Sequence, residues 1–133
     1  MGSKKKVTAK KIVQAMARGA VVLDYNLANL AKGLRSHNMH VLLVPPKMDD
    51  EDIKRVYLTR RLFITNNPKH FIDDASSYEY GIISTRNIKY KGEEKLVPLI
   101  SKALAKYSLW SHQYGFIIEL NDKGEGKIKP LQS

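Results

Sequence analysis

The sequence predicts an α/β protein with a mostly parallel central sheet. Short apolar runs alternate along the chain with segments whose apolar residues recur at helical spacing, which is the pattern of βαβ units. The runs are apolar on both faces, as in strands that helices cover from both sides. Neither a linker nor an internal repeat divides the 133 residues. We therefore expect one domain over residues 21–133, preceded by an N-terminal arm over residues 1–20.

The arm is the most basic part of the chain. The net charge is +10, and six Lys or Arg residues precede Asp24, the first acidic residue, whereas the rest of the chain has 17 basic and 13 acidic residues. Apolar residues at helical spacing predict a short helix in the arm that ends near Gly19. Such basic arms commonly neutralise phosphates or anionic lipid heads, and a solubilising tail is the alternative.

Four short apolar runs predict the strands that precede a closing hairpin. They span residues 21–24, 41–44, 62–65 and 81–84. Asn26 is the predicted cap of the helix that follows the first strand. The buried stripe of that helix is predicted to be Leu27, Leu30, Ala31 and Leu34.

The second half of the chain contains the longest predicted helix. Before it, Asp49 or Asp50 is predicted to cap a helix. The apolar face of that helix is predicted to be Ile53, Val56 and Tyr57. A short helix is expected over about residues 69–78. The long helix is expected to begin at Glu93, with Pro98 in its first turn. Its core-facing stripe is Leu96, Leu99, Ile100, Ala103, Leu104, Tyr107 and Trp110. Residues 116–120 and 126–131 form the closing hairpin.

The composition excludes several classes of protein. Hydrophobic residues make up 43% and charged residues 27% of the chain, which is ordinary globular composition. The chain has no cysteine, so a disulfide framework and a thiolate metal site are excluded, in agreement with a cytoplasmic location. The apolar runs are too short for stable membrane insertion, and no signal peptide is predicted. Ser-His-Asp, Walker-type and Gly-x-Gly-x-x-Gly motifs are absent, which argues against hydrolase triads and nucleotide cofactors.

Polar side chains follow the predicted strands. Asp24 ends the first strand, residues 66–67 end the third and residues 85–87 follow the fourth, while the acidic run 49–52 opens the helix after the second. Ligands bind at this edge of parallel sheets, and carboxylates there suit Mg²⁺ or Mn²⁺. Each feature has a structural alternative: a helix cap or a loop anchor for Asp24, dipole complementation for the acidic run, and a turn at residues 66–67.

Taken together, these segments resemble the small PIN-like proteins related to the Mut7-C domain, many of which are similar to nuclease toxins of bacterial toxin–antitoxin pairs. The similarity rests on residues 21–27, 40–41, 50–53 and 63–71, and it covers roughly residues 20–87. It implies a three-layer PIN-like fold and a metal-dependent, toxin-like ribonuclease that uses Mg²⁺ or Mn²⁺. It also implies RNA and an antitoxin protein as partners, and it leaves a homo-oligomer open.

The resemblance implies site residues position by position. Asp24 and Asp50 match the first two acidic metal-site residues. Asn67 and His70 stand where the family has Asp residues, so these four are the candidate catalytic residues. Asn brings no charge and His is a softer ligand than carboxylate. The candidate metal ligands are Asp24 and Asp50, with Asp73 or Asp74 as a replacement for the lost carboxylate. The alternative for Asp73 and Asp74 is a solvated turn of helix.

Basic and aromatic side chains supply the candidate RNA contacts. The basic residues around the predicted site are Arg35, Lys54, Arg55, Arg60, Arg61, Lys69 and Arg86. The aromatic residues interleaved with them are Tyr57, Tyr78, Tyr80 and Tyr90. These tyrosines are expected either to stack unpaired bases or to surround the core with their hydroxyls in water.

Two other hypotheses stay open. Asn67 and His70 favour a decayed PIN-like nuclease that binds RNA or a protein partner without cleavage. In the other hypothesis, the basic arm docks on a membrane or on a partner protein.

Overall fold

The computed structural model describes residues 20–37, 39–89, 92–107 and 115–130. The helix predicted to end near Gly19 lies outside these residues, as do Tyr90, Trp110 and Leu131. The binding role of the arm therefore stays a prediction.

One six-stranded sheet forms the centre of the molecule. Its strands are β1 (Ala20–Leu23), β2 (His40–Leu43), β3 (Leu62–Thr65), β4 (Gly81–Ser84), β5 (Phe116–Leu120) and β6 (Gly126–Pro130). Their order in the sheet is β2-β1-β3-β4-β5-β6. The first five strands are parallel and β6 pairs antiparallel with β5. The predicted α/β class, the mostly parallel sheet and the closing hairpin are thus confirmed.

Helical segments connect the parallel strands. After β1, a 3₁₀ segment (Tyr25–Leu30) continues into α1 (Ala31–Ser36). After β2, the single turn α2 (Asp50–Asp52) continues into a π-helical segment (Ile53–Leu58). A 3₁₀ turn (Lys69–Phe71) and α3 (Ala75–Tyr78) follow β3, and α4 (Glu93–Tyr107) follows β4. Their positions after the successive strands agree with the predicted alternation.

Hydrophobic cores lie on both faces of the sheet. Val21 and Leu23 of β1 pack with α1 and α4 in one core, and Val22 packs in the other with Ile53 and Leu58 of the π-helical segment. Successive side chains of a strand point to opposite faces, so a strand buried on both faces must be apolar throughout. This arrangement explains why the sequence shows uninterrupted apolar runs instead of alternating ones.

Several local predictions differ from the structure. The N-cap position of the first 3₁₀ segment is Asp24, whose side chain makes no capping hydrogen bond, so the predicted cap at Asn26 is wrong. Val56 is 50% exposed and does not join the core. The hydrogen bonds of a π-helix span five residues instead of four, and Ile53 and Leu58, which are five residues apart, both lie on the buried face. Pro98 lies in the second turn of α4, one turn later than expected.

Candidate active site at the carboxyl edge of the sheet

The order of the strands creates a crevice above β1 and β3. The chain leaves β1 for β2 on one side of it, and β3 leads to β4 on the other side. In parallel sheets the connections diverge at such a reversal and leave space above the carboxyl ends of the two neighbouring strands. Asp24 follows β1 and Asn66 follows β3, so the predicted polar groups of these strands lie at this crevice.

A cleft of about 220 Å³ occupies this position. Its lining consists of Asp24, Tyr25, Asn26, Val44, Pro45, Lys47, Met48, Asp50, Ile53, Asn67, His70 and Phe71. All four candidate catalytic residues, Asp24, Asp50, Asn67 and His70, are therefore brought together. They come from three segments of the chain that lie after β1, before the π-helical segment and after β3.

The carboxylate of Asp24 is held by a buried threonine. Thr65 Oγ1 donates a hydrogen bond of 2.6 Å to Asp24 Oδ2. The backbone N–H of Asp24 donates to the carbonyl oxygen of Ile64 at 3.0 Å, and its carbonyl oxygen accepts from Leu27 N–H at 2.9 Å. The Asp24 side chain makes no capping hydrogen bond, so it is not a helix cap, whereas its bond from Thr65 is the kind of contact that a loop anchor makes. Asp24 also lines the cleft.

Thr65 is the residue that links the two sides of the crevice. It is fully buried, and its hydroxyl accepts the backbone N–H of Asn67 at 3.0 Å while donating to Asp24. A hydroxyl can donate once and accept as well, so one side chain fixes both cleft residues. Sequence reasoning did not select Thr65. The available signal was a threonine at the end of an otherwise apolar strand, where a hydroxyl has no partner within the sheet.

The acidic run contributes one carboxylate to the cleft. Asp49 caps α2 by accepting the N–H of Asp52 at 2.9 Å, which confirms one of the two predicted caps. Glu51 pairs with Lys54 at 3.2 Å and Asp52 pairs with Arg55 at 3.0 Å. Asp50 is the member of this run that lines the cleft.

Asp73 and Asp74 are not among the residues that line the cleft. The carboxylate of Asp74 lies 2.6 Å from the ammonium group of Lys54, which is 5% exposed. Burial lowers the pKa of Lys54, but its hydrogen bonds to Asp74 and Glu51 outweigh burial, so the pKa is raised overall. Asp74 therefore neutralises a buried cation, and Asp73 is exposed to solvent.

The donor atoms of the cleft fit a hydrated divalent cation better than a closed metal cage. Within the described residues, no group of three or more His, Asp or Glu side chains is arranged to hold a metal ion. Mg²⁺ usually keeps several waters and binds through one or two carboxylates together with substrate phosphates. Asp24 and Asp50, with the amide oxygen of Asn67, supply that kind of oxygen-rich set.

Most of the predicted RNA-binding residues make contacts within the protein. The pairs are Arg55–Asp52, Arg60–Glu79 and Arg86–Glu119, while Arg35 donates to Val41 O and Arg61 donates to Tyr57 O. Lys54 is buried, so it cannot contact RNA from the surface. Lys69 is exposed. Lys47, which sequence reasoning did not select, lines the cleft with its backbone in the left-handed region at φ 65°.

The environments of the predicted tyrosines differ from one another, and one of them agrees with neither base stacking nor a hydroxyl in water. Tyr80 is fully buried and its hydroxyl donates to the carbonyl oxygen of Phe71, so its prediction as a base-stacking or water-exposed residue is wrong. Burial raises the pKa of Tyr80 well above its usual value. Tyr57 and Tyr78 are partly buried. Tyr25, absent from the predicted set, is 47% exposed and lines the cleft.

Comparison with known proteins finds no relative of this chain. No protein-family model, no curated protein and no solved structure matches the chain. No helix of the described residues is long and apolar enough to cross a membrane. The fold and the cleft therefore define the class that the structure supports, an α/β protein with a doubly wound, mostly parallel sheet and a polar cleft at the point where its strand order reverses.

Proposed function

We propose that this chain is a PIN-like, metal-dependent ribonuclease whose active site is the cleft above β1 and β3. One observation carries the proposal. Asp24, Asp50, Asn67 and His70, which the PIN-like resemblance selects from segments far apart in the sequence, line the same cleft. The cleft also lies where the ligands of parallel α/β proteins bind.

Asp24, Asp50 and Asn67, together with Thr65, have defined parts in the proposed reaction. Asp24 and Asp50 would hold Mg²⁺ or Mn²⁺, and the hydroxyl of Thr65 fixes the Asp24 carboxylate. When bound, such an ion would supply a water of lowered pKa and offset negative charge on the phosphate. Asn67 positions a water or a phosphate oxygen with its amide.

The charge on the protein supports a phosphodiester substrate. Lys47 lines the cleft and Lys69 is exposed two residues after Asn67. Positive charge near a cleft attracts phosphates and speeds their approach. The toxin-like role and the antitoxin partner follow from the PIN-like resemblance, the cytoplasmic location agrees with the absence of cysteine, and all three form part of the proposal.

Cleavage of a mixed-sequence single-stranded RNA tests this function. The wild-type protein is titrated with Mn²⁺ and Mg²⁺, and its cleavage rate is compared with that of Asp50→Asn and Asp52→Asn. These two aspartates belong to the same turn, but only Asp50 lines the cleft. We expect metal-dependent cleavage that Asp50→Asn abolishes and Asp52→Asn retains. Equal rates for the two variants would refute the proposed site.

A second function is favoured by the composition of the cleft. With Asn67 and His70 in place of carboxylates, and no three-ligand group among the described residues, the cleft has fewer anionic ligands than its family pattern. The protein would then bind RNA, or a protein partner, without cleaving it. The double variant Asn67→Asp/His70→Asp separates the two functions: a gain of metal-dependent cleavage in a protein that otherwise only binds RNA would establish a decayed nuclease.

A further inference from the structure

An exposed aromatic side chain stands at the mouth of the cleft. Tyr25 directly follows Asp24 and is the first residue of the 3₁₀ segment after β1. Large hydrophobic side chains with comparable exposure are rare in the described part of the chain: they are Tyr25 at 47% and Val56 at 50%. Tyr25 lines the cleft, whereas Val56 does not.

The exposure of this ring is informative because aromatic side chains gain stability from burial. A phenol ring that lies half in water beside two carboxylates and a lysine does not contribute its full area to the core. A tyrosine with this exposure at a cleft is a candidate to stack on a planar ligand. A nucleobase is such a ligand, since every base has a π-face that can stack on an aromatic side chain.

The pairing state of a nucleic acid decides whether it can offer that base. Bases within a duplex are already stacked and paired, whereas bases of single strands are free to turn outward. Asn26, exposed on the cleft beside Tyr25, offers amide donors and an acceptor to the edge of such a base.

We propose that Tyr25 stacks on an unpaired base next to the scissile phosphate and is the residue by which this cleft selects single-stranded over duplex RNA. The proposal rests on the proposed function for the identity of the nucleic acid. In this arrangement Tyr25 is a specificity-determining residue. It holds the nucleotide whose phosphate lies between Asp24 and Asp50, and it discriminates against duplex RNA because a paired base cannot reach the ring.

Binding of single-stranded and duplex RNA by the full chain tests the proposal. Fluorescence anisotropy gives the Kd of a labelled single strand and of the corresponding blunt duplex, in Mg²⁺ and in chelator, at one fixed salt concentration. The proteins are the wild type, Tyr25→Ala, Tyr25→Phe and Val56→Ala. Val56→Ala is the matched control, because it removes apolar surface of similar exposure away from the cleft. The RNA is run on a gel after each titration, so that cleavage is scored separately from binding.

We expect Tyr25→Ala to weaken single-strand binding about 5- to 150-fold, the range that corresponds to stacking of one base. Tyr25→Phe keeps the ring and Val56→Ala leaves the cleft unchanged, so both should bind as the wild type does. Duplex RNA should bind more weakly and be insensitive to all three substitutions. Unchanged single-strand binding by Tyr25→Ala, or duplex binding as tight as that of the single strand, would overturn the proposal.

The gel distinguishes this proposal from the proposed nuclease. Tyr25-dependent binding without cleavage in any metal supports stacking and refutes nuclease activity. Cleavage that is equal on both RNAs and indifferent to Tyr25→Ala supports a nuclease and refutes stacking. If the wild-type protein binds neither RNA, both proposals fail.

Discussion

Two carboxylates at the same edge of the sheet have opposite surroundings. Asp24, after β1, is held by the hydroxyl of Thr65 and has no ion-pair partner among the described residues. Glu119, on β5, lies between Arg86 at 2.9 Å and Lys129 at 3.5 Å, and its side chain is 11% exposed. Both are oriented, but only Glu119 is neutralised by the protein itself. A carboxylate that is fixed without a counter-charge is suited to bind a cation from solution, whereas one fixed by two cations is structural.

The strand ends beneath these two carboxylates are otherwise alike. The hydroxyl of Thr65 accepts the N–H of Asn67, and the hydroxyl of Ser84 accepts the N–H of Arg86 at 3.2 Å. Thr65 and Ser84 are partners in the register of β3 and β4. The same local turn therefore follows both strands. After β3 its hydroxyl also holds the carboxylate of Asp24, and after β4 the turn carries Arg86, which pairs with Glu119. The two strand ends differ in the charged side chains that neighbouring segments place beside the carboxylate.

The largest expected effect is on RNA cleavage by the two carboxylate variants. Asp24→Asn should lower the metal-dependent rate by more than about 100-fold, because substitutions of residues that only support a metal ligand already cost about 10- to 100-fold. Glu119→Gln should leave the rate close to that of the wild type. Comparable losses for the two variants would show that the cleft is not the place of cleavage.

The hydroxyls give the next largest effect. Thr65→Val removes the bond to Asp24 and should reduce the metal-dependent rate by about 10- to 100-fold, whereas Thr65→Ser should retain it. Ser84→Ala should not change the rate. Thr65→Val also removes the hydroxyl that accepts the N–H of Asn67. Circular dichroism must therefore show first that this variant is folded. A normal rate for Thr65→Val would show that Asp24 does not need this orientation.

Along α2 and the π-helical segment, a buried and an exposed cation differ in their effect on stability. Lys54→Met should lower the free energy of unfolding by about 2 kcal/mol, less than the roughly 3–5 kcal/mol of a fully buried pair, because Asp74 and Glu51 are partly exposed. Arg55→Met breaks an exposed pair and should cost less than about 1 kcal/mol. Urea denaturation measures both values. An equal loss for the two variants would contradict the buried environment of Lys54.

The smallest expected effect is alkaline destabilisation through the buried hydroxyl of Tyr80. Its pKa is raised in the folded protein, so its stabilising contribution is complete below pH 10 and is lost as the pH rises toward the folded pKa. At pH 11 the unfolded chain has lost this proton while the folded chain retains it, which corresponds to roughly 1 kcal/mol. The free energy of unfolding of Tyr80→Phe should fall less between pH 9 and pH 11 than that of the wild type. Parallel curves would place the Tyr80 hydroxyl in water.

The elements that depend on local pattern were predictable from the sequence. The runs at residues 21–24 and 62–65 became buried strands, and Asp49 caps its helix as the acidic run indicated. Asp24 and Asn67 were predicted to approach each other because the carboxyl ends of parallel strands meet at one edge. These predictions use periodicity, capping and chain direction, which are properties of short segments.

The remaining features depend on distant contacts. The π-helical segment exposes Val56 because Ile53 and Leu58 pack on the sheet, which no local periodicity specifies. The burial of Tyr80 and the exposure of Tyr25 depend on where the sheet places each turn. In the sequence, both are tyrosines near charged residues, and nothing local distinguishes them. The pairing of Lys54 with Asp74 joins residues that are 20 positions apart.

The location of bound Mn²⁺ tests the central claim most directly. Paramagnetic broadening of backbone amide NMR signals on addition of Mn²⁺ reports distance from the ion, independently of any RNA. We predict that the amides of Asp24, Asp50 and Asn67 broaden first and that this broadening is lost in Asp24→Asn, while the amides around Glu119 remain sharp. Broadening centred on Glu119, or none at stoichiometric Mn²⁺, would contradict a metal site in the cleft.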